Sequence, residues 1–247
     1  MSERTAELSM RLRALTPARV GLGRTGVSQQ TRDLLQFQQA HVRARDAVHA
    51  RMETAALVVR LAESGVEALA LHSAAPDRAI YLQRPDLGRR LDDVSRALIR
   101  KCGKDSFDLA LVVADGLSAL AVERHAAPVV SALMGRLVGW RLAPISVVEQ
   151  GRVAIGDEIG AALRAAISVV LIGERPGLSS PDSLGAYITW DPRVGRTDAE
   201  RNCISNIRPE GLSYEQAEAQ LGFYLHEARR RKLTGVALKE DARRIEA

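Results

Sequence analysis

The sequence predicts an α/β protein with a Rossmann-like, mostly parallel, doubly wound sheet and an N-terminal helical arm. The first observation is that, from residue 79 onward, short apolar runs alternate with segments of helical periodicity, which is typical of a parallel sheet covered by helices. The second is that only helical spacing occurs before that point. We therefore expect an N-terminal helical arm or subdomain at 1–75 and an α/β domain at 76–247.

The arm contains two helical patterns. Leu8, Leu12 and Leu15 share one helical face within residues 1–17 and predict a small amphipathic helix, with a frayed terminus as the alternative. Residues 31–63 place apolar side chains at steps of three, four and seven, which predicts one long amphipathic helix. Because apolar residues also lie off its main stripe, we expect this helix to pack on a second surface, of its own domain or of a partner chain.

A glycine-rich motif, residues 21–26, has the G-x-G-x-x-G spacing of a dinucleotide-binding turn. That turn requires a strand before it and a βαβ unit around it. The preceding residues 16–20 are too short and too interrupted for a central strand, and no return strand follows closely. The motif therefore favours a turn where backbone packs closely. A nucleotide-dependent oxidoreductase with a Rossmann-like fold is the alternative function that depends on it.

The elements of the α/β domain follow from periodicity and from residues that end regular structure. Strands are short apolar runs bounded by Gly, Pro or Asp, predicted at 79–82, 107–113, 143–149, 168–172 and 186–190. Helices follow apolar periodicity, at 89–101, 117–126, 128–138, 157–166 and 213–233. Gly103 is a predicted C-cap, Pro128 divides two helices, and Ser213 with Gln216 has the spacing of a capping box. The tail 239–247 is charged.

Polar residues follow the predicted strands at the edge where open α/β sheets bind ligands. Asp115 follows the strand at 107–113 and is either a ligand contact or the cap of the next helix. Glu174 follows the strand at 168–172, and Pro176 and Gly177 hold the turn that presents it. A long polar loop is predicted between residues 191 and 203, and loops of that length are usually functional or disordered.

No catalytic constellation accompanies these residues. The sequence contains no G-x-S-x-G elbow, no Walker lysine and no Cys/His cluster, and His41 and His49 have no Glu or Cys to complete a metal set. The predicted strand-end loops offer Asp115, Arg152, Val153, Glu174 and Cys203. A carboxylate, a guanidinium, a branched alkyl group and a thiol are together suited to holding a large amphipathic ligand. The residues alone therefore predict a ligand-clasping or partner-binding subunit, with no catalytic residue and no metal site of its own.

Composition limits the class of protein further. The 247 residues carry a formal charge of +5, and no run of 18 apolar residues or secretory signal occurs, so we expect no membrane span and a cytoplasmic location. Cys102 and Cys203 are too few for a disulfide framework. The basic run at 229–232 is interpreted as a solvated helix end rather than a nucleic-acid site. A nucleic-acid-binding protein is the third alternative, and it depends on this arginine content.

Four blocks of sequence resemble a known family. Residues 173–185 read Gly-Glu-Arg-Pro-Gly-Leu-Ser-Ser-Pro-Asp-Ser-Leu-Gly, and residues 197–208 read Thr-Asp-Ala-Glu-Arg-Asn-Cys-Ile-Ser-Asn-Ile-Arg. With 113–118, and with 23–26 taken together with 44–49, they are similar to the small (light) subunit of ethanolamine ammonia-lyase, an adenosylcobalamin-dependent enzyme. The blocks extend from about residue 20 to residue 235, and the two longest have an unusual composition.

The resemblance implies a role for each strand-end residue. By match to the family's motifs, the corrin contacts fall on Val153, Glu174 and Cys203, with Arg152 beside them, so that 76–247 would be a cobalamin-clasping domain. An ionised carboxylate suits the N–H groups of corrin amides, and an alkyl group and a small thiol suit its hydrocarbon edges. Roles without a ligand contact remain open for each residue: Glu174 as a surface carboxylate, Val153 as a core residue, and Cys203 as an inert buried thiol.

The resemblance also implies partners and a binding mode. The partner is the large subunit of ethanolamine ammonia-lyase, which holds the substrate and the radical chemistry in a hetero-oligomer. The Asp-x-His-x-x-Gly motif of proteins that replace the cofactor's lower base with histidine does not occur, so we expect adenosylcobalamin to bind base-on. Many members of the family carry a longer N-terminal extension that helps packaging into bacterial microcompartments. The corresponding segment is short here, so residence in such a compartment is left open.

Overall fold

The fold is organised on a central sheet, and the computed structural model describes residues 3–238, with side chains from residue 7. Within this range the strands are β1 (Arg24–Thr25), β2 (Ser28–Gln29), β3 (Ala68–His72), β4 (Phe107–Ala114), β5 (Ile145–Glu149), β6 (Ala165–Gly173), β7 (Leu184–Trp190) and β8 (Arg201–Ile207). The α-helices are α1 (Glu3–Leu15), α2 (Thr31–His49), α3 (Thr54–Ala62), α4 (Arg78–Gln83), α5 (Asp93–Cys102), α6 (Ala119–Met134), α7 (Ile155–Ala162) and α8 (Tyr214–Arg231). Short 3₁₀ turns lie at Leu87–Arg89, Asp198–Glu200 and Gly235–Ala237. The predicted charged tail, 239–247, lies outside the described residues.

The main sheet has six strands in the order β3-β5-β4-β6-β7-β8. The first four strands in that order are parallel, whereas β7 pairs antiparallel with both β6 and β8. The α/β prediction is confirmed, and the sheet is mixed. Because β4, β5 and β6 are parallel, the segments that follow them emerge at the same edge. That edge carries the residues that the sequence singled out.

Helices cover both faces of this sheet. Side chains alternate along β4, so that Leu111 and Val113 enter a first core with α3, α6 and α8. Val112 and Ala114 enter a second core with α5 and α7. The buried face on each side explains why the strands read as continuous apolar runs. None of the helices within residues 3–238 is long and apolar enough to span a membrane.

The strand predicted at 79–82 is wrong, because these residues belong to helix α4. Asp77 precedes the helix, and its side chain accepts a hydrogen bond from the backbone N–H of Ile80 at 2.9 Å. This N-cap supplies a partner for a helical N–H that would otherwise lack one. Tyr81 is fully buried from the helix, and its burial explains the apolar run that resembled a strand.

The arm also differs from its prediction. Residues 31–63 form two helices, α2 and α3, because the chain leaves the helical path so that Met52 enters the first core. The backbone N–H of Glu53 is held at the break by the side chain of Glu123, at 2.7 Å. Residues 68–72 are not helical but form β3, an edge strand whose five residues are too short to show clear alternation. The division of the chain into an arm, 1–75, and a domain, 76–247, stays a prediction.

Two further elements correct the predicted pattern. Pro128 does not divide two helices, since α6 runs continuously from Ala119 to Met134. A proline inside a helix costs about 3 kcal/mol, whereas burying each of Val129, Val130 and Leu133, all fully buried, contributes roughly 1.5–3 kcal/mol. The polar loop predicted to reach residue 203 ends at residue 200, because β8 begins at residue 201. Gly103 at the end of α5 and the capping box of Ser213 and Gln216 on α8 are confirmed.

Candidate functional site

A hollow of about 640 Å³ lies at the edge of the sheet where the parallel strands end. We call it the first hollow, and it is bounded by the turn after β5 and by the turn that joins β6 to β7. Its lining includes three of the four residues proposed as cofactor contacts from the sequence, Arg152, Val153 and Glu174. Other residues of its lining are Tyr81, Gly116, Gly173, Ser179, Tyr187 and Asn206.

Two glycines allow the ends of β4 and β6 to meet beneath this hollow. Gly116 has a φ of +56°, and a Cβ on it would lie 2.3 Å from the carbonyl oxygen of Gly173. A Cβ on Gly173 would lie 2.1 Å from the carbonyl oxygen of Ser118. The backbone N–H of Leu117 donates to the carbonyl of Gly173 at 2.9 Å. Only residues without a side chain allow this approach, so the two glycines fix where the turn after β6 starts.

Glu174 is held at the first position of that turn. Its backbone N–H donates to the carbonyl of Ser183 at 3.0 Å, which closes the turn across its base. Its Oε2 accepts the backbone N–H of Asn206 from the neighbouring β8, at 3.1 Å. Within the described residues no hydrogen bond to Oε1 occurs, so this carboxylate oxygen, which lies beside Gly185 of β7, has unused acceptor capacity.

Arg152 and Val153 lie in the turn that follows β5. The backbone N–H of Arg152 donates to the carbonyl of Gly88 at 2.7 Å, and its Nη2 donates to the carbonyl of Tyr81 at 3.2 Å. The guanidinium lies over the ring of Tyr81, 4.1 Å from the ring centroid. Its Nε is buried and has no hydrogen-bond partner within the described residues. Val153 is partly buried and packs against the second core, while it also lines the first hollow.

Cys203 does not line the first hollow. It lies in β8 directly opposite Tyr187 of β7, and its side chain is exposed, with Sγ 3.3 Å from the Ser205 hydroxyl. Tyr187 lines the hollow, and burial together with the adjacent Cys203 raises the pKa of its phenol. The structure therefore brings Arg152, Val153 and Glu174 together, with Cys203 one strand away, behind Tyr187.

A second hollow of about 500 Å³ adjoins the first and shares Arg152, Val153 and Tyr187 with it. Arg201 forms part of its wall, and its two terminal nitrogens donate to the two carboxylate oxygens of Asp157, each at 2.7 Å. This pair is almost completely buried, and a fork-to-carboxylate contact of this kind is among the strongest that proteins form. It fixes the start of β8, and hence Cys203, against α7.

Asp115 serves neither of the two roles that the sequence left open. Ser118 is the N-cap of α6, so Asp115 does not cap that helix. It does not line the first hollow, and it is instead bound to the turn after β5 through the N–H of Gly151, at 3.1 Å. Sequence reasoning also missed Tyr81 and Tyr187 as lining residues. Tyr81 was placed in a strand, and alternation along 186–190 was the one signal that could have placed Tyr187 on this face.

The glycine motif forms a turn of a different kind from a dinucleotide site. Residues 24–26 of the motif lie in a small antiparallel hairpin of β1 and β2, and the residues described before the motif, from residue 3 onward, include helix α1 but no strand. Gly21 has a φ of +60°, and a Cβ there would lie 2.7 Å from the Ser9 hydroxyl of α1. The prediction of close backbone packing is confirmed for Gly21. Within the described residues no group of three or more His, Cys, Asp and Glu could hold a metal ion.

Comparison with known proteins gives a consistent result. A family model described as "Ethanolamine ammonia-lyase light chain (EutC)" matches residues 6–239. A protein named "Ethanolamine ammonia-lyase small subunit" from Pseudomonas aeruginosa (strain LESB58) is 60% identical over 236 residues, which covers 94% of this chain and 86% of that protein. Proteins of the same name from Xanthomonas campestris pv. campestris (strain B100) and Azotobacter vinelandii are 58% and 59% identical, over 239 and 236 residues. They are covered to 88% and 87% of their length and match 95% and 94% of this chain.

Proposed function

This chain belongs to the ethanolamine ammonia-lyase light chain family, and from that premise we propose that it binds adenosylcobalamin at an interface with a large catalytic subunit. The assembled complex would convert ethanolamine to acetaldehyde and ammonia. When bound, the cofactor supplies the radical chemistry of that reaction. The residues of this chain would bind and orient the cofactor, and none of them would be a catalytic residue.

The observation that carries this proposal is the convergence of Arg152, Val153 and Glu174 on one hollow. A primary amide on the corrin rim has N–H donors and a carbonyl acceptor. The available oxygen of Glu174 can accept from such an N–H, and the guanidinium of Arg152 can donate to such a carbonyl. Val153 adds a hydrocarbon surface to the same hollow. The donor set therefore fits an amphipathic ring that carries amides on its edge.

The size of the hollow supports an interface rather than an enclosed site. Its volume of about 640 Å³ lies within the range of pockets that hold drug-sized ligands, and adenosylcobalamin is much larger than such a ligand. This chain would therefore cover one part of the cofactor, and the large subunit would cover the rest. Cys203 lies on the exposed side of β8, where it would contact the corrin edge beyond Tyr187.

Base-on binding is part of the proposal. All five histidines lie within the described residues, and none of them lines the first or the second hollow. This chain therefore offers no imidazole near the proposed cofactor position. Electron paramagnetic resonance of the cob(II)alamin state should show nitrogen splitting from the cofactor's own base, and the splitting should not change when the histidines of this chain carry ¹⁵N. A change would contradict base-on binding.

The surface toward the large subunit would include α2 and the turn that follows β6. Leu34 and Phe37 of α2 are exposed, and with Leu22 and Leu178 they line an apolar third hollow of about 780 Å³. Ser179 lines both this hollow and the first one, so the apolar surface continues directly into the proposed cofactor site. A hetero-oligomer in which one partner covers both is the simplest arrangement.

The substitution Glu174→Gln in the complex reconstituted with the large subunit tests this function. A hydrogen bond to a charged group contributes roughly 1.5–3 kcal/mol, so its loss should raise the apparent KM for adenosylcobalamin by about one to two orders of magnitude. The KM for ethanolamine should barely change, because the substrate would lie in the other subunit. The matched control is Glu218→Gln, since Glu218 pairs with Arg136 on the surface of α8 and should leave both constants unchanged.

Three outcomes would contradict the proposal. An unchanged KM for adenosylcobalamin in Glu174→Gln, or a shift confined to the KM for ethanolamine, would remove Glu174 from the cofactor site. Deamination by this chain alone with added cofactor would contradict the division of labour between the two subunits.

A further inference from the structure

A buried cluster of Arg78, Tyr81 and Asp115 lies directly behind the turn that carries Arg152 and Val153. Asp115 is 2% exposed and Tyr81 is 0% exposed. The cluster lies between β4 and β5, which are adjacent and whose following helices, α6 and α7, pack on opposite faces of the sheet. Open α/β sheets usually place their ligand crevice at such a point. Here side chains fill that point, and the hollow lies beside it.

Asp115 and Arg78 connect three segments of backbone. One carboxylate oxygen of Asp115 accepts the N–H of Gly151 at 3.1 Å, and the other lies 3.6 Å from Nη1 of Arg78. Arg78 also donates to the carbonyl of Val48 at the end of α2, at 2.7 Å, and to the carbonyl of Gly116 after β4, at 2.8 Å. A buried carboxylate is costly unless it is paired and hydrogen-bonded. The N–H of Gly151 and the guanidinium of Arg78 are therefore what allow Asp115 to be buried here.

Tyr81 holds the other side of the same residue. Its hydroxyl donates to the carbonyl oxygen of Gly151 at 3.1 Å, so Gly151 is bound through its N–H by Asp115 and through its C=O by Tyr81. The Tyr81 ring also lies against two guanidinium groups, with distances of 4.8 Å to Arg78 and 4.1 Å to Arg152. Cation–π contacts of this kind are stronger where water is excluded.

The turn needs such support. Gln150 has a φ of +56°, a left-handed conformation that residues with side chains adopt only rarely. A Cβ on Gly151 would lie 2.8 Å from the Cβ of Ala114, so residue 151 must be glycine to pack against β4. Arg152 and Val153 follow immediately, and their direction into the first hollow depends on how residues 150 and 151 are held.

We propose that Asp115, together with Arg78 and Tyr81, is a positioning residue that sets the direction of Arg152 and Val153 toward the cofactor. This inference rests on the proposed function. Asp115 does not line the hollow, so it would act only through the turn after β5. Its substitution should therefore weaken cofactor binding without removing any group that touches the cofactor.

The ionisation of Asp115 provides a readout that a merely structural role would not move. Burial raises the pKa of its carboxyl to about 6, although Arg78 and the N–H groups of Gln150 and Gly151 lower it, and Glu149 raises it further. The charged and titratable groups that face it are Arg78, Glu149 and Tyr81, and Arg152 contacts the Tyr81 ring. Below about pH 6 the carboxyl is protonated and its bond to Gly151 weakens, so affinity for adenosylcobalamin should fall. Because this pKa lies above the ordinary value of 3.8, the folded state takes up the proton more readily than the unfolded chain, so protonation of Asp115 does not destabilise the fold.

The test uses Asp115→Asn in the reconstituted complex, with the KM for adenosylcobalamin measured from about pH 5 to about pH 8. The variant should raise this KM by about tenfold near neutral pH, leave the KM for ethanolamine unchanged, and lack the loss of affinity that the wild type shows below about pH 6. The matched control is Asp108→Asn at the other end of β4, roughly 23 Å away. Asp108 also accepts a backbone N–H, that of Arg141 at 2.9 Å, and pairs with Arg229 at 3.3 Å.

A double-mutant cycle of Asp115→Asn with Arg152→Ala tests whether Asp115 affects the KM for adenosylcobalamin through Arg152. If Asp115 acts through the turn, the two substitutions together should raise the KM by less than the product of their separate effects. Independent effects, a wild-type pH profile in Asp115→Asn, or an equal change in Asp108→Asn would overturn the inference. If Asp115→Asn does not fold, Tyr81→Phe removes only the hydroxyl bond to Gly151, and a KM unchanged in that variant would also overturn it.

The same experiment separates the inference from the proposed function. If Glu174→Gln raises the KM for adenosylcobalamin and Asp115→Asn does not, the cofactor binds as proposed and the positioning role is wrong. If neither substitution has an effect, the cofactor does not bind at this hollow and the proposed function is wrong.

Discussion

Arg152, Glu174 and Cys203 offer three different kinds of contact at the proposed cofactor site. Arg152 donates, Glu174 accepts, and the exposed thiol of Cys203 provides a polarizable apolar surface with only weak hydrogen bonding. The carboxylate is fixed by the N–H of Asn206 at 3.1 Å, whereas the uncharged thiol of Cys203 has two hydroxyl neighbours, those of Ser205 at 3.3 Å and of Tyr187. The charged and fixed group should therefore contribute more to binding than the thiol.

We predict that Cys203→Ser raises the KM for adenosylcobalamin by no more than about threefold, because a hydroxyl keeps the size of the thiol and loses under roughly 1 kcal/mol of dispersion and sulfur contact. Cys102→Ser is the matched control, since Cys102 donates only to the carbonyl of Leu98 within α5. Steady-state kinetics on the reconstituted complex measure both. An effect of Cys203→Ser equal to that of Glu174→Gln would show that the ranking of the two contacts is wrong.

At the residue scale, the sequence predicted the positions of those residues that directly follow the end of a strand. Glu174 could be placed because an apolar strand precedes it and a Pro-Gly turn follows it, and Arg152 and Val153 because Gly151 ends the preceding run. The pairing of Asp115 with Gly151 could not be predicted, since it depends on β4 and β5 being neighbours. Local sequence carries no information about which strands are adjacent.

At the element scale, helix α6 is joined to the turn between β6 and β7 by the side chains of Ser118 and Arg124. The hydroxyl of Ser118 accepts the N–H of Ala121 as an N-cap, at 3.3 Å, and donates to the carbonyl of Pro181 at 2.9 Å. Arg124 of the same helix pairs with Asp182 of that turn at 2.6 Å. The turn that presents Glu174 is therefore anchored to the first core through α6.

We predict that Ser118→Ala lowers the free energy of unfolding by about 2–3 kcal/mol, because it removes the N-cap, worth about 1 kcal/mol, and leaves the Pro181 carbonyl without its donor. Ser213→Ala is the matched control, since Ser213 caps α8 through the N–H of Gln216, and its other contact is with the exposed carboxylate of Glu215 rather than with a carbonyl of another segment. It should cost only about 1 kcal/mol. Urea unfolding followed by tryptophan fluorescence measures both, and equal losses would show that the bond to Pro181 adds nothing.

The elements that the sequence missed are determined by each element's place in the fold, and the reason differs from one element to the next. The run at 79–82 resembled a strand because Tyr81 is buried, yet a side-chain cap from Asp77 makes it a helix. β3 and β8 are the two edge strands, so each has one hydrogen-bonded neighbour and a mixed burial pattern that hides its alternation. Pro128 ends a helix by local rules, but the burial of one continuous face along α6 outweighs that preference.

At the scale of the whole molecule, an apolar surface is exposed on α2 and on the turn at 177–180. Leu34, Phe37 and Leu178 are exposed there and, with Leu22, line the third hollow. Within α2 only Asp33, Ala40 and Ala47 are buried, so this helix presents most of its surface to solvent in the isolated chain. A contiguous apolar surface of this kind is typical of a protein interface, and it adjoins the first hollow at Ser179.

We predict that Phe37→Glu weakens association with the large subunit by roughly 10- to 100-fold, because burying a phenylalanine contributes roughly 1.5–3 kcal/mol and the glutamate cannot replace it. Phe37 is 43% exposed in the chain alone, so the substitution should change the stability of the isolated subunit by less than about 0.5 kcal/mol. The matched control is Val138→Glu, since Val138 is 84% exposed and lies before β5, at the amino ends of the parallel strands. Each variant is titrated against the large subunit. The fraction of complex retained and the apparent Kd then distinguish the two positions. Wild-type association of Phe37→Glu, or equal weakening by Val138→Glu, would place the interface elsewhere on the surface.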